Sequence, residues 1–270
     1  MTFSERLPRL AASSYLNSAP LIWSFMRGSM KELVTFMDPV PAKCADLLAQ
    51  NSVDAALVPV IEYQRIPDIH LVPGVCVGSK EQVRSVVLVT RTDDLNTVRS
   101  VALDESSRTS ATLVKIIFKE FMGKDLSWRI ASPNLGQMLA ENDGALIIGD
   151  PGMTFSRDGY QVWDLATLWR QHTGLGFVFA MWMIRDEAPA AARRLEFARA
   201  RDEGLSALEE IVDHYEKILP LPREEIVDYL TKNISFEPDE SMSAGLRLYF
   251  RLAHKQRLIE AVKPLRYRAA

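Results

Sequence analysis

The stretch SVALDESSRTSATLVKIIF, residues 100–118, decides how this chain is read. Residues 101–103 form a short apolar run of the kind a buried strand shows. Four hydroxyl side chains follow within five positions, Ser106, Ser107, Thr109 and Ser110, with Thr112 just beyond. Leu113, Val114, Ile116, Ile117 and Phe118 then recur at helical spacing. A strand that runs through a Ser/Thr cluster into a helix gathers hydroxyls and backbone N–H groups at one helix N-terminus. Those N–H groups have no intrahelical partner and the helix dipole is positive there, so the place suits an anion such as a carboxylate. One Ser or Thr would suffice for capping. Four point to a ligand site.

Working outward, strands and helices alternate. Strands are predicted at 7–13, 33–37, 54–60 (DAALVPV), 69–72, 85–90 (SVVLVT), 101–103, 128–131, 145–148, 160–165 and 177–184. Helices are expected from Pro20, from Pro41 to Gln50, over 111–122 and over 135–141, since Pro is favoured in a first helical turn. Beyond Asp186 the pattern is wholly helical, roughly 187–218, 223–232 and 239–258. This order predicts an α/β fold with parallel sheets followed by a helical C-terminal region. Ten strands exceed the roughly 4–6 of a usual open sheet, so two smaller sheets fit better. The long apolar segments 85–90 and 177–184 are the natural crossings. They predict one discontinuous lobe, 1–88 with 180–270, and a second lobe over 89–179. Ligands in such folds lie outside the carboxyl ends of strands, so the lobes would close over one cleft.

Composition narrows the function. The net charge of −3 and the lack of a Lys/Arg-rich block argue against a nucleic-acid partner. Lys263, Arg266 and Arg268 make the C-terminus basic, which a solvated tail explains. No window is long and apolar enough for a membrane span, and MTFSERLPRLAASSYL has no apolar signal core, so the cytoplasm is the expected compartment. Cys44 and Cys76 form neither a disulfide framework nor a metal-ligand spacing, and no cofactor is expected. Gly174-Leu175-Gly176 is half a dinucleotide fingerprint, but it precedes a strand instead of a helix. Walker, HExxH and GxSxG motifs do not occur.

The segments that end strands converge on the cleft, which makes Tyr15, Asn17, Ser18, Ser106, Ser107, Thr109, Ser110, Gly149, Asp150, Gly174 and Phe177 candidate site residues. Asp104, Glu105, Asp150 and His172 are the titratable groups near it. A carboxylate in such a loop caps or pairs locally as readily as it moves a proton. The site reads as polar, uncharged and rich in hydroxyls and amides, suited to a small carboxylate and without an evident catalytic dyad.

These motifs resemble the chorismate dehydratase family of the futalosine route to menaquinone. The resemblance rests on YLNSAPL at 15–21, DAALVPVIEY at 54–63, RSVVLVTR at 84–91, SVALDESSRTSATLVKIIF at 100–118, ALIIGD at 145–150 and DLATLWRQHTGLGFVFAMW at 164–182. It covers most of residues 7–184. Gly176 stands where relatives often carry Pro, and Pro151-Gly152 follows the Gly-Asp pair where many have a residue then Ala. The resemblance implies a two-lobed fold like that of type II periplasmic binding proteins and a cytoplasmic enzyme. It implies chorismate as the substrate and adds Ser85, within RSVVLVTR, to the binding residues. The implied reaction is loss of water to give 3-[(1-carboxyvinyl)oxy]benzoate, with Asn17 holding the reacting part and the substrate's own enolpyruvyl carboxylate taking the proton. Asn17 has an ordinary alternative as an Asx turn before the first helix. Two other functions share this fold: a solute-binding or sensory protein for a small carboxylate, and the sister dihydroxynaphthoate-forming lyase. A homodimer is left open.

Overall fold

The computed structural model describes residues 6–268. Ten strands form two five-stranded sheets. The first sheet holds β1 (Arg9–Ala11), β2 (Thr35–Met37), β3 (Ala55–Pro59), β4 (Ile69–Ser79) and β10 (Phe177–Arg185), in the order β2-β1-β3-β10-β4. The second holds β5 (Val86–Thr90), β6 (Ser100–Asp104), β7 (Ser127–Ala131), β8 (Gly144–Ile148) and β9 (Gln161–Asp164), in the order β7-β6-β8-β5-β9. Two interior strands, β3 with AALVP and β5 with VVLVT, are buried on both faces. Continuous apolar runs of this kind mark strands covered by helices on each side.

The sheets are mixed instead of wholly parallel. β10 runs antiparallel to β3 and β4, and β5 runs antiparallel to β8 and β9. The reason is topological. β5 and β10 are the strands by which the chain enters one sheet from the other, and they arrive against the direction of their neighbours. Neither strand itself crosses, because each pairs within a single sheet; the crossings are the segments 80–85 and 174–176.

Other departures have local causes. β4 continues to Ser79 through Pro73-Gly74, where Gly74 takes a φ of 72° and the strand carries on beyond the kink. The helix expected over 111–122 begins earlier, as Thr109–Ile116, and widens into a π turn, Ile117–Phe121. The Gly-Asp pair after β8, two ordinary turn residues, opens a short helix, Gly149–Thr154. The helical tail is broken into Ala190–Arg193, Phe197–Ser206 and Leu208–Tyr215, then Arg223–Asp228, a π turn Tyr229–Asn233, and Glu240–Lys255.

The basic C-terminus is not a solvated tail. Tyr267 bridges Leu71 of β4, the Tyr63 hydroxyl donates to the Pro264 carbonyl at 2.6 Å, and Arg268 donates to the Leu195 carbonyl at 2.9 Å. Tyr267 therefore extends the first sheet beyond β4. Gly176 donates its backbone N–H to the Ser241 hydroxyl at 3.0 Å, a bond that a proline there would lose. Among the described residues no helix is long and apolar enough to cross a membrane.

Candidate functional site

A cavity lies between the two sheets and is lined by residues from both. One wall comes from the first lobe. There the turn Leu16–Ser18 leads into the helix Ala19–Met26 and presents Tyr15, Asn17 and Ser18. Pro20 in the first turn of that helix fixes where the turn ends. The opposite wall is the start of the helix Thr109–Ile116, with Ser107, Arg108, Thr109 and Ser110. Leu57, Pro59, Val77 and Phe179 supply an apolar floor that suits a carbocyclic ring.

The hydroxyl cluster divides its work. Ser106 is spent locally: its hydroxyl and its N–H both reach the Asp104 carboxylate, at 2.6 and 2.9 Å. Thr109 accepts the Ile61 N–H from the first lobe at 3.2 Å. Ser107 is buried and its hydroxyl has no partner. No side chain caps the helix that begins at Thr109. An uncapped helix N-terminus, facing a cavity beside an unpartnered buried hydroxyl, is arranged to receive an anion.

Arg108 also lines the cavity and is the cation that reading the segment for its hydroxyls passed over. It is already paired across the cleft, with Glu62 at 3.0 Å and with Asp46. Both partners lie far from it in sequence, so only the fold reveals the pairing.

The remaining predicted residues fall into two groups. Tyr15, Asn17, Ser18, Ser107, Thr109, Ser110 and Gly149 line the cavity together. Ser18 turns its hydroxyl back to the Ser13 and Tyr15 carbonyls, which holds the turn's shape. Ser85, Ser106, Asp150, Gly174 and Phe177 are not in the lining. Ser85 is buried behind it and accepts a 2.6 Å hydrogen bond from the Tyr229 hydroxyl. The Asn17 side chain rests against the same phenol, so a residue of the C-terminal helices braces Asn17. Gly174 is exposed and ends the helix Leu165–Thr173 in the left-handed region, φ 72°. Phe177 joins an aromatic cluster with Trp169 and Tyr249, at 5.3 and 5.1 Å between ring centroids. Phe179, at an irregularity of β10, lines the cavity in its place. His172 is exposed and stacks on Phe121 at 4.6 Å.

Two carboxylates stand just behind the lining. Burial pushes the Asp104 carboxyl up, opposed by its bonds to Ser106. Burial also pushes Asp150 up to about 6, opposed only by the Leu16 N–H that it accepts at 2.9 Å. Glu105 is exposed and holds the Ser132 hydroxyl at 2.9 Å.

The family described as menaquinone biosynthesis matches residues 8–255. The chain belongs to the menaquinone biosynthesis family. Within it, the chain is similar to the chorismate dehydratase of Thermus thermophilus, 31% identical over 259 residues that span 89% of this chain and 93% of the relative. In fold it is similar to a crystal structure of an Archaeoglobus fulgidus protein, with a TM-score of 0.76 at 15% identity, covering 95% of this chain and 100% of that one. It is also similar to a Candida albicans protein described as having the generic periplasmic binding protein fold, with a TM-score of 0.64 at 14% identity and 98% of each chain covered. The fold is thus the two-lobed α/β fold of periplasmic binding proteins, with the cavity of this chain in the cleft between the lobes.

Proposed function

We propose that the protein is a chorismate dehydratase, a carbon–oxygen lyase that converts chorismate to 3-[(1-carboxyvinyl)oxy]benzoate and water. The observation that carries this reading is the uncapped start of the helix Thr109–Ile116 with the unpartnered Ser107 hydroxyl, facing Asn17 across an apolar-floored cavity. A substrate with a ring and two carboxylates matches it. The named relative at 31% identity supports the choice of chorismate, and the cytoplasm is the compartment that a biosynthetic role implies.

In this reading the ring sits on Leu57, Pro59 and Phe179 while one carboxylate meets Ser107 and the helix N-terminus. The C3 hydrogen is acidified through the ring alkene by the C1 carboxylate. Its removal places an electron pair that expels the C4 hydroxyl, and the ring becomes aromatic. One proton and one hydroxide leave together as water. The reaction's own driving force is large, so the protein acts mainly by orientation and by fixing charge. Neither carboxylate near the site lines the cavity, and both are engaged in hydrogen bonds within the fold. The enolpyruvyl carboxylate of the substrate is then the base, and Asn17 holds it over the ring with an amide that both donates and accepts.

Incubation with chorismate tests the reading. A product lighter by one water with a benzoate absorption is expected. Chorismate recovered intact and tightly bound would instead mark a binding protein, and chorismate neither bound nor changed would exclude both.

A further inference from the structure

Asp150 bridges the lobes at the site's most exacting point. It lies in the short helix after β8 of the second lobe, yet its carboxylate accepts the N–H of Leu16 in the first, at 2.9 Å across 134 residues of sequence. Leu16 stands between Tyr15 and Asn17, both of which line the cavity. The neighbouring Gly149 seals the same junction. Its φ is 65°, and a Cβ there would lie 2.4 Å from the Tyr15 ring. Backbone and carboxylate therefore grip one three-residue turn from the opposite lobe.

We propose that Asp150 is a positioning residue: by accepting the Leu16 N–H when the lobes close, it fixes the turn Leu16–Ser18 and so places Asn17 over the substrate. This rests on the proposed dehydration for its kinetic consequence, but the grip itself concerns only the fold. No contact to substrate is assigned to Asp150.

The groups that face Asp150 are phenols. Tyr15, Tyr215 and Tyr229 all have their pKa raised, burial being the main cause and the Asp150 charge adding to it, and all three stay neutral near pH 7. The Asp104 charge also raises Tyr15. Among the described residues no cation compensates the Asp150 carboxylate, whose pKa burial raises to about 6. The closed form therefore holds a proton more tightly than an open, solvated form would. That contribution to closure is complete below the ordinary carboxyl range and is lost as pH rises through about 6. A protonated carboxyl, like an amide, still has a carbonyl oxygen to accept from Leu16.

The test compares Asp150→Asn, which keeps an acceptor of the same shape, with Asp150→Ala, which removes it. Amide exchange at Leu16 reads the grip directly, and chorismate kinetics read its consequence. Exchange at Leu16 is expected to speed up in Asp150→Ala and stay slow in Asp150→Asn. kcat is expected to fall on the order of a hundredfold in Asp150→Ala, the scale of a small misplacement, and to be restored to within about fivefold in Asp150→Asn. Leu16 protection in the wild type, corrected for intrinsic exchange, should rise as pH falls from 7 to 5. In Asp150→Asn it should be flat, with Asp104 present in both. Unchanged Leu16 exchange in Asp150→Ala overturns the proposal. So does loss of turnover in both variants with Leu16 still protected, which would make the carboxylate the base. If the alanine variant does not fold, the pH series on the other two proteins decides. If the wild type leaves chorismate intact, the proposed reaction fails while Leu16 exchange still reports on the grip.

Discussion

Ser107 and Ser106 are neighbours with the same side chain and opposite fates. The Ser106 hydroxyl is committed to Asp104 at 2.6 Å, while the buried Ser107 hydroxyl has no partner. Removing the Ser107 hydroxyl should therefore leave the fold alone and cost the ligand one bond. A hydrogen bond to a charged group contributes about 1.5–3 kcal/mol. Ser107→Ala should weaken chorismate binding roughly ten- to hundredfold with an unchanged Tm, measured by calorimetry beside a thermal melt; an unchanged Kd would move the anion site elsewhere. Asn17→Ala should act on kcat more than on KM, because it loosens the reacting geometry. Asn17→Asp should raise KM as well, by setting a negative charge beside an anionic substrate. Steady-state kinetics on the two variants separate these effects, and a wild-type kcat in Asn17→Ala would remove Asn17 from the chemistry. The sequence announced the hydroxyl cluster through residue type, and Asn17 through the YLNSAPL motif that carries the resemblance. It did not say which hydroxyls are spent, because the partners decide that, and Ile61 reaches Thr109 from 48 positions away.

Elements set where those residues stand. The helix Thr109–Ile116 was legible from its apolar spacing, and the strand before it from its unbroken apolar run. The helix Gly149–Thr154 was not. Gly and Asp are ordinary turn residues, and Pro at the third position disguises a first helical turn. Ser85 and Phe177 were misplaced for a related reason. Ser85 ends one crossing and Phe177 opens the strand after the other, where a one-residue change of direction decides between cavity and core. Gly149 shows how tightly this junction is built. Gly149→Ala would force a side chain into the left-handed region at about 1–3 kcal/mol and press it against Tyr15. A lower Tm and a lower kcat are expected together, from a melt and an activity assay on one preparation. A variant as stable and as fast as wild type would show that Tyr15 and Gly149 do not need their close approach.

At the scale of the molecule, two sheets close on one cavity and the C-terminal helices brace both. Tyr229 reaches Ser85 at 2.6 Å, and Tyr249 donates to the Thr109 carbonyl at 2.9 Å. Arg108 with Glu62 and Asp46, Thr109 with Ile61, and Asp150 with Leu16 tie lobe to lobe. The two-sheet division was legible because ten apolar strands do not fit one sheet, whereas the antiparallel entry of β5 and β10 and the return of Tyr267 to Leu71 depend on contacts no local pattern carries. What this assembly leaves in the cavity is hydroxyls, amides and backbone donors, with its one arginine paired and its carboxylates turned to the protein. That inventory supports the proposal that the substrate's own enolpyruvyl carboxylate is the base. The most direct measurement uses chorismate esterified at the enolpyruvyl carboxylate, with binding and turnover followed separately. The ester should bind in the cavity, even if more weakly, and remain unconverted, whereas its dehydration at a rate near that of chorismate would mean that a group of the protein takes the proton.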